Sequence, residues 1–556
     1  MPTLEISLSD LSTLVGKDIS AEELDELILF AKGELEGVDG DLIKVDMKDT
    51  NRPDLWSTEG IARQIRGILG IETGLPEIAL KDSGYEVYAD SALKGIRPYC
   101  VNAVVTGLDI DEAFLSQIIQ LQEKVALSFG RKRKEVAVGI IDFDKITPPI
   151  FYKATDPDDN AFVPLTFDTE MTPREILASH PKGIEYGHLI SENEKYPLLV
   201  DSAGVVLTMP PIINSEHTGK VTTATKNVFI DVTGYNMESL KTALNVLVSA
   251  FSMRGGTIHK VTVHYGETDI VVPDMAPCSF ELDLSYSNEI LGLGISKEEQ
   301  VALLEKMQYA ASVKDNVLKV TYLPYRNDIM HAHDVIEDIA IAYGYNDIDP
   351  LIPTLYTTGR LLPLSRSLRI VKELAIGQGF QEMLSFTLSN NEALFLKMGV
   401  HRPEGVVEIE NPVSQSWSVM RNWLLPSMLS FLSKNTHRDY PQDIFEISEV
   451  VSVNKNEETM VDCQYNLCML QCRTGASYTT IRQSLDTVLA NMGIDFKIEP
   501  IDHPSFMDGR VGRIVVGNKD VGIVGELHPQ VLENWGMETP ISAAEIYLES
   551  ILKMMQ

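Results

Sequence analysis

Hydrophobic and polar positions near the start of the chain follow first the period of a strand and then that of a helix. Residues 4–8 alternate, and the next segment, SAEELDELI, supplies a serine cap and an apolar stripe. In residues 51–68 a turn-forming NRPD precedes a helix cap at Ser57 or Thr58. These patterns predict a small α+β domain over residues 1–85. The apolar face of its last helix comprises Ile61, Ile65 and Ile68.

The next stretch, residues 86–270, mixes both periods. It predicts helices near 112–128 and 238–252 and a strand at 136–139, which together favour an α+β domain. Residues 271–346 predict two helices with a Gly-rich turn between them, a hairpin and a further helix. We therefore expect a compact helical unit with a small β wing there.

The last third of the chain predicts an antiparallel sheet with helices packed on it, over residues 361–556. A linker rich in Pro, Asp and Thr precedes it, over residues 347–360. The fold class is therefore α+β with several domains. One apolar stripe in this region is expected to pack in the core or against a partner: Leu424, Leu425, Met428, Leu429 and Leu432.

Composition agrees with a soluble globular protein of three to four domains, because 44% of the 556 residues are hydrophobic and 23% are charged. The sequence contains neither a signal-like start nor an apolar run near the roughly 18 residues that span a bilayer. We therefore expect a cytoplasmic protein. The five cysteines do not predict a disulfide framework. We interpret Cys463, Cys468 and Cys472, which lie in a strand-like run, as buried thiols.

The net charge of −33 argues against a protein that coats nucleic acid indiscriminately. Any contact with nucleic acid must then be local. The best candidate is the basic run from Arg131 to Lys134. A solvated turn explains this run equally well.

The most informative segment is residues 326–345, RNDIMHAHDVIEDIAIAYGY. Asp334, Glu337 and Asp338 lie on one face of a predicted helix, with Asp328 just upstream, so these carboxylates repel unless solvent, a cationic partner or a metal neutralises them. Oxygen ligands favour a hard cation such as Mg²⁺. A solvated acidic face is the alternative from these residues alone.

The same segment contains an HxHD string, at residues 331–334, that could seat a transition metal in a hydrolase. Strand alternation puts His331 and His333 on one face. The element offers no further His or Cys as a ligand. We therefore regard the hydrolase as the weakest of the competing hypotheses.

Three segments, residues 51–67, 326–345 and 410–429, resemble in this order the β subunits of phenylalanyl-tRNA synthetases. FEISEVV and GELHPQVLENWG extend the resemblance towards the C-terminus, so that it covers essentially the whole chain. The segments at 180–189 and 209–222 resemble the archaeal and eukaryotic form. There is no room for the additional domains of the bacterial form.

The resemblance implies a subunit of an (αβ)2 heterotetramer that joins phenylalanine to tRNA(Phe) with ATP. The α subunit would bind ATP and phenylalanine. In this chain the resemblance implies a B3/B4-type editing domain at 86–270, a winged-helix-like B5 domain at 271–346 and a class II synthetase-like domain without catalytic motifs at 361–556. Arg421 has no second arginine to help it bind ATP phosphates, so we interpret it as structural.

The resemblance also implies hydrolysis of tyrosine wrongly attached to tRNA(Phe). Such a second site has a physical motive, because an apolar pocket only weakly rejects an added hydroxyl. Asp231 and Thr233 lie two residues apart, on the same strand face. No Ser, His and Asp set appears, so a positioned water is the expected nucleophile. The family's editing residues correspond to Gln122, Leu199, Thr208, Asn214, Asp231 and Thr233.

The alternative for this set is structural, since Asn214 and Asp231 could cap turns and Thr208 could be an ordinary strand residue. We expect His180 and His188 to satisfy local turns. A different class of function is a non-catalytic adaptor that binds tRNA or protein. It predicts that the chain hydrolyses no mischarged tRNA.

For the acidic segment, the resemblance implies a structural or intersubunit Mg²⁺ site shared with the α subunit. Its ligands in this chain would be Asp328, Asp334, Glu337 and Asp338.

Overall fold

The computed structural model describes residues 2–555 and divides the chain into two compact units, which meet between Leu351 and Ile352. Among the helices of this range, none has the length and apolar character needed to cross a membrane.

The first unit begins with a small antiparallel sheet of strand order β1-β3-β2. Ser57 accepts a hydrogen bond from the amide of Gly60 at 3.2 Å and so caps the third helix, whose Ile61 and Ile65 are fully buried. The expected strand, helix and capped apolar helix are confirmed. The elements are β1 (Thr3–Ser7), α1 (Leu8–Val15), α2 (Ala21–Leu27), β2 (Gly33–Asp39), β3 (Leu42–Met47) and α3 (Thr58–Ile68).

A ten-stranded sheet follows, in the order β10-β9-β8-β7-β4-β12-β5-β11-β6, with β13 paired to β12. Its strands are β4 (Leu80–Ala89), β5 (Tyr99–Thr106), β6 (Val136–Asp142), β7 (Ile150–Thr155), β8 (Tyr196–Asp201), β9 (Val206–Met209), β10 (Ile213–Asn214), β11 (Val228–Gly234), β12 (Thr257–Tyr265) and β13 (Thr268–Val272). Its helices are α4 (Glu112–Lys124), α5 (Pro173–Ser179), α6 (Pro181–Tyr186), α7 (Glu216–Gly219) and α8 (Met237–Met253).

The boundaries expected at residues 85 and 270 need correction, because they fall inside β4 and β13 of this sheet. The polar stretch KDSGYEVY resembles a linker because few of its side chains are buried. Strand pairing uses backbone hydrogen bonds, however, so a polar segment can lie between two other strands of a sheet.

A third group of elements completes the first unit, with an antiparallel sheet of order β14-β16-β15 and three helices. Gly292 ends the first helix at φ 67°, a left-handed conformation that favours glycine. The expected helix pair, hairpin and following helix are confirmed. The elements are β14 (Cys278–Asp283), α9 (Leu284–Leu291), α10 (Lys297–Lys306), β15 (Ala310–Lys314), β16 (Val317–Tyr322) and α11 (Ala332–Tyr343).

The second unit is built on a sheet of order β17-β20-β21-β25-β24-β23-β22, antiparallel except where β17 meets β20. The expected antiparallel sheet is thus confirmed apart from that edge. The elements are α12 (Pro363–Gly377), β17 (Gln381–Glu382), β18 (Leu388–Ser389), β19 (Val419–Met420), α13 (Leu425–Ser433), β20 (Gln442–Val453), β21 (Val461–Cys472), α14 (Tyr478–Asn491), β22 (Lys497–Pro500), β23 (Phe506–Val516), β24 (Lys519–Leu527), α15 (Pro529–Asn534), β25 (Ile541–Ile546) and α16 (Leu548–Met555).

Side-chain burial in the second unit settles two expectations. The apolar stripe from Leu424 to Leu432 packs in the core, with every member at most 1% exposed. Cys468 and Cys472 are buried, but Cys463 is exposed and its interpretation as a buried thiol was wrong. The reason is that β25 covers β21 only from Leu467 onwards.

Candidate functional site: a cavity beside strand β11

A cavity of about 400 Å³ lies in the first unit, where α4, β6, β11 and the segment from β9 to α7 meet. Its walls are mainly apolar, with a few polar side chains that point inward, as in small-molecule sites. Five of the six sequence-predicted editing residues line it: Gln122, Thr208, Asn214, Asp231 and Thr233.

The remaining residue, Leu199, is not part of the lining. It is fully buried in the hydrophobic core and pairs in register with Thr208 of β9. Leu199 therefore supports the wall that carries Thr208.

The strand register explains why Asp231 and Thr233 face the same space. Asp231 on β11 lies between Asn102 of β5 and Gly139 of β6, and Thr233 lies between Cys100 and Ala137. Residues two apart on one strand share a face, as the sequence predicted.

Asp231 is the most perturbed acid of the cavity. Its side chain is buried, and burial raises its pKa to about 7 even though a hydrogen bond from Asn102 and the charge of Arg97 oppose the shift. The amide of Asn102 donates to Asp231 Oδ1 at 3.0 Å. A carboxyl group with a pKa near neutrality in a cavity is typical of a functional site.

Thr233 is fixed by Arg97, a buried arginine that sequence reasoning missed. Arg97 Nε donates to Thr233 Oγ1 at 2.9 Å, and Nη1 donates to the carbonyl of Lys134 at 3.1 Å. A positive charge is thereby held behind the polar wall. The sequence gives no signal for Arg97, whereas Asn102, a buried polar residue within the apolar run of β5, could have been noticed.

Two glycines make room around Asn214. A Cβ atom at Gly139 would lie 3.2 Å from Asn214 Oδ1 and 3.8 Å from Asp231 Oδ2, and one at Gly219 would lie 2.3 Å from Asn214 Cβ. The amide of Asn214 and the carboxyl group of Asp231 thus border the same small space beside Gly139. A substrate group placed there would meet both.

The other two polar residues are tied to the backbone of the walls. Thr208 donates its hydroxyl hydrogen to the carbonyl of Ile213 at 3.2 Å, and Gln122 on α4 donates to the carbonyl of Val138 at 3.1 Å. Both side chains are thus pre-oriented, as precise recognition requires.

Among the side chains that line the cavity, in the described part of the chain, there is no Ser, Cys or His. The usual protein nucleophiles and the usual base are therefore missing from these walls. What the walls offer are amide, hydroxyl and carboxyl groups that can hold a substrate and a water molecule. His180, by contrast, caps α6 by accepting from the amide of Lys182 and is not part of the lining.

The acidic segment around α11 is arranged differently. Arg326 binds Asp328 through two hydrogen bonds of 2.9 and 2.6 Å, and its Nη2 also donates to Asp338 at 2.6 Å. Tyr309 donates to the same oxygen of Asp338 at 2.6 Å. Burial would raise the pKa of Asp328, but the charges of Arg326 and Arg52 lower it below its usual value.

The two outer carboxylates have partners as well. Asp334 accepts from the backbone amides of Met330 and His331 and so closes a capping box, and Glu337 pairs with Lys32 at 2.9 Å. Within residues 2–555 no three His, Cys, Asp or Glu side chains form a group that could hold a metal ion. In this arrangement the four carboxylates are engaged by Arg326, by Lys32 and by the cap of α11.

The contacts of His331 and His333 weaken the metal-hydrolase hypothesis. His331 caps α11 by accepting from the amide of His333, and the ring of His333 hydrogen-bonds with Tyr286 at 2.9 Å. Both imidazoles thus have local structural partners.

Arg421 in the second unit is structural, as expected. It is fully buried, and its Nη1 hydrogen-bonds with Ser385 at 2.6 Å and with Glu446 at 3.0 Å. Since Glu446 neutralises this guanidinium inside the unit, Arg421 is not presented to a phosphate.

Comparison with known proteins identifies the family. The chain is 50% identical to a phenylalanine–tRNA ligase β subunit from Pyrococcus abyssi, over 99% of this chain and all of that one. The chain belongs to the phenylalanine–tRNA ligase β-subunit family. It is 37% identical to the β subunit from Methanocaldococcus jannaschii, over 99% of this chain and all of that one.

Two family models match separate parts of the present chain. Residues 280–345 match the tRNA synthetase B5 domain, and residues 348–548 match the phenylalanyl-tRNA synthetase β chain CLM domain. A crystal structure of an N-terminal fragment of the β subunit from Pyrococcus horikoshii is 54% identical, with a TM-score of 0.61, and covers 62% of this chain and all of the fragment.

Proposed function

We propose that this chain is the β subunit of an (αβ)2 phenylalanine–tRNA ligase and that its cavity hydrolyses tyrosine from mischarged tRNA(Phe). The observation that carries the proposal is the buried carboxyl group of Asp231 in a cavity of about 400 Å³. Aminoacylation belongs to the partner, which binds ATP and phenylalanine. In this chain the Arg421 guanidinium is neutralised by Glu446 and is not available to an ATP phosphate.

Asp231 reads the phenol of tyrosine. Its carboxyl group accepts a hydrogen bond from the phenol hydroxyl. The amide of Asn102 donates to Oδ1 of the same carboxyl group and holds it in place. Phenylalanine has no hydroxyl and would leave this buried acceptor unpaired, which costs about 1–3 kcal/mol or more for a charged group. Correctly charged tRNA is thus spared.

Water attacks the ester, because no Ser, Cys or His lines the cavity and the hydroxyl of Thr208 already donates to the carbonyl of Ile213. The amide of Asn214, beside the space that Gly139 leaves open, positions the water or the ester carbonyl. The attacking water loses a proton to solvent or to the departing ribose oxygen, and that oxygen leaves protonated as the ribose hydroxyl. Gln122 and Thr208 orient the amino acid against the walls.

Mg²⁺ at Asp328, Asp334, Glu337 and Asp338 stays a prediction from the resemblance and enters no step of this mechanism. Arg326 and Lys32 already provide positive charge to three of these carboxylates. The adaptor hypothesis has no specific observation in its favour.

The test is co-purification of this chain with its α partner, followed by assays of Phe-tRNA formation and of Tyr-tRNA hydrolysis. We expect both activities. A complex that forms no Phe-tRNA would refute the ligase assignment, and one that charges tRNA but leaves Tyr-tRNA intact would refute the editing proposal alone.

A further inference from the structure

A short basic segment joins two walls of the cavity. Helix α4 continues into a wider turn over Val125–Phe129, and residues 130–135 then lead into β6. Both α4 and β6 line the cavity. Arg133 of the connecting segment also lines the cavity, so this segment borders it.

This segment has an unusual backbone. Arg131, Lys132 and Arg133 all have positive φ, of 48°, 56° and 66°. For residues other than glycine such conformations are strained, and they concentrate at functional sites. Hydrogen bonds from the amides of these three residues to the carbonyls of Ser128, Leu127 and Ala126 hold the turn in place.

Arg133 is the structural member of the run. Its Nη1 donates to the carbonyls of Ile212 at 2.8 Å and Pro211 at 3.2 Å, and its guanidinium lies 4.4 Å from the centre of the Tyr186 ring. It thereby fastens the rim to the segment that follows β9. The remaining cations, Arg131, Lys132 and Lys134, are exposed, and we name them the basic ridge.

The basic ridge has free positive charge in a strongly acidic protein. Within residues 2–555 no carboxylate oxygen lies within 4 Å of the charged groups of Arg131, Lys132 or Lys134. The two lysines that line the cavity are paired instead, Lys182 with Glu185 and Lys220 with Glu216. Unpaired cations held on a strained, anchored turn indicate an anionic ligand.

We propose that the basic ridge binds the phosphodiester backbone of the single-stranded 3′ end of tRNA while the esterified amino acid lies in the cavity. This inference rests on the proposed editing function. The RNA strand has to leave the cavity across its rim, and single-stranded RNA is bound by positive groups that follow its backbone. The ridge contributes to binding of the substrate and takes no part in the bond cleavage.

The test compares two triple variants of the full chain in complex with its α partner. The first is Arg131→Gln, Lys132→Gln and Lys134→Gln, which removes the ridge charges without introducing new backbone strain. The control is Lys81→Gln, Lys94→Gln and Lys195→Gln, which removes three charges from exposed lysines of the same sheet region that do not line the cavity.

We expect the ridge variant to raise KM for Tyr-tRNA roughly tenfold with little change in kcat, because three phosphate contacts are lost. The slope of log binding constant against log salt for a short single-stranded RNA should fall by about 2, since each contact contributes about 0.7. Hydrolysis of tyrosyl-adenosine, which has no phosphodiester, should be unchanged. The control variant should behave like the wild type.

Equal KM values and salt slopes for the ridge and control variants would overturn the proposal. A wild-type complex that hydrolyses neither Tyr-tRNA nor tyrosyl-adenosine would refute the editing function instead. In that case the RNA-binding slopes still decide whether the ridge binds phosphodiesters. A ridge variant that loses hydrolysis of tyrosyl-adenosine as well would show that the turn only shapes the cavity, which also contradicts the proposal.

Discussion

The cavity beside β11 and the carboxylate group around Arg326 both contain buried acids, but only one leaves an acid open to a ligand. Among the described residues the side chain of Asp231 has a single hydrogen-bond donor, Asn102, and it borders open space. Asp328 and Asp338 both accept hydrogen bonds of 2.6 Å from the guanidinium of Arg326. Buried charge is costly unless it is paired, so the paired group holds the fold together and the unpaired acid is available for function.

The strongest way to break this comparison is to remove Arg326. The Arg326→Met substitution leaves Asp328 and Asp338 buried without their partner, so the free energy of unfolding should fall by about 3–5 kcal/mol. Denaturant unfolding measures it. The matched control is Arg174→Met, whose ion pair with Asp158 is exposed, and it should unfold almost like the wild type. Similar losses in both variants would refute a structural role for the buried pair.

The corresponding change in the cavity is Asp231→Ala. Loss of a hydrogen bond to a charged group costs about 1.5–3 kcal/mol, so Tyr-tRNA hydrolysis should slow by up to about a hundredfold. A deacylation assay with the α-partner complex measures it. Asp201→Ala is the control, because this acid is equally buried in the same sheet but accepts hydrogen bonds only from the backbone amides of Thr147, Ala203 and Val205. Its loss should lower stability and leave hydrolysis intact, and slower hydrolysis in both variants would refute a specific role for Asp231.

A milder change fills the space that the side chains of Asn214 and Asp231 border. A methyl group at residue 139 would lie 3.2 Å from Asn214 Oδ1, so Gly139→Ala should reduce hydrolysis roughly tenfold, or about 1.4 kcal/mol. Gly84→Ala is the control, since nothing lies within 4 Å of the added methyl group. Unchanged hydrolysis in Gly139→Ala would mean that the substrate does not use this space.

The smallest expected effect concerns metal. If Arg326 is the cation of the carboxylate group, millimolar Mg²⁺ should not shift the thermal midpoint of this chain relative to EDTA. Differential scanning calorimetry measures the midpoint. A clear upward shift with Mg²⁺ would favour the magnesium site implied by the family resemblance, because a ligand that binds only the native state stabilises it.

The sequence predicted which residues share one face of a strand or helix better than it predicted contacts between different elements. It placed Asp231 and Thr233 on one face, because that depends only on the period of a strand. Their partners Asn102 and Arg97 come from residues more than 120 positions earlier, and no local pattern connects them.

The same limit explains the acidic segment. The helix and its acidic face followed from local spacing, and the neighbouring arginine was visible at position 326. The spacing could not predict that Lys32, 305 positions earlier, pairs with Glu337. It also could not predict that the guanidinium of Arg326 binds both Asp328 and Asp338. Whether a carboxylate is free or paired is decided by tertiary contacts.

The most direct test of the central claim is the ratio of kcat/KM for hydrolysis of Tyr-tRNA(Phe) to that of Phe-tRNA(Phe), measured on the complex of this chain with its α partner. A buried acceptor that reads the phenol hydroxyl predicts a ratio of at least about a hundred in the wild type and a ratio near one in Asp231→Ala. Equal hydrolysis of both substrates by the wild type, or hydrolysis of neither, would contradict the account.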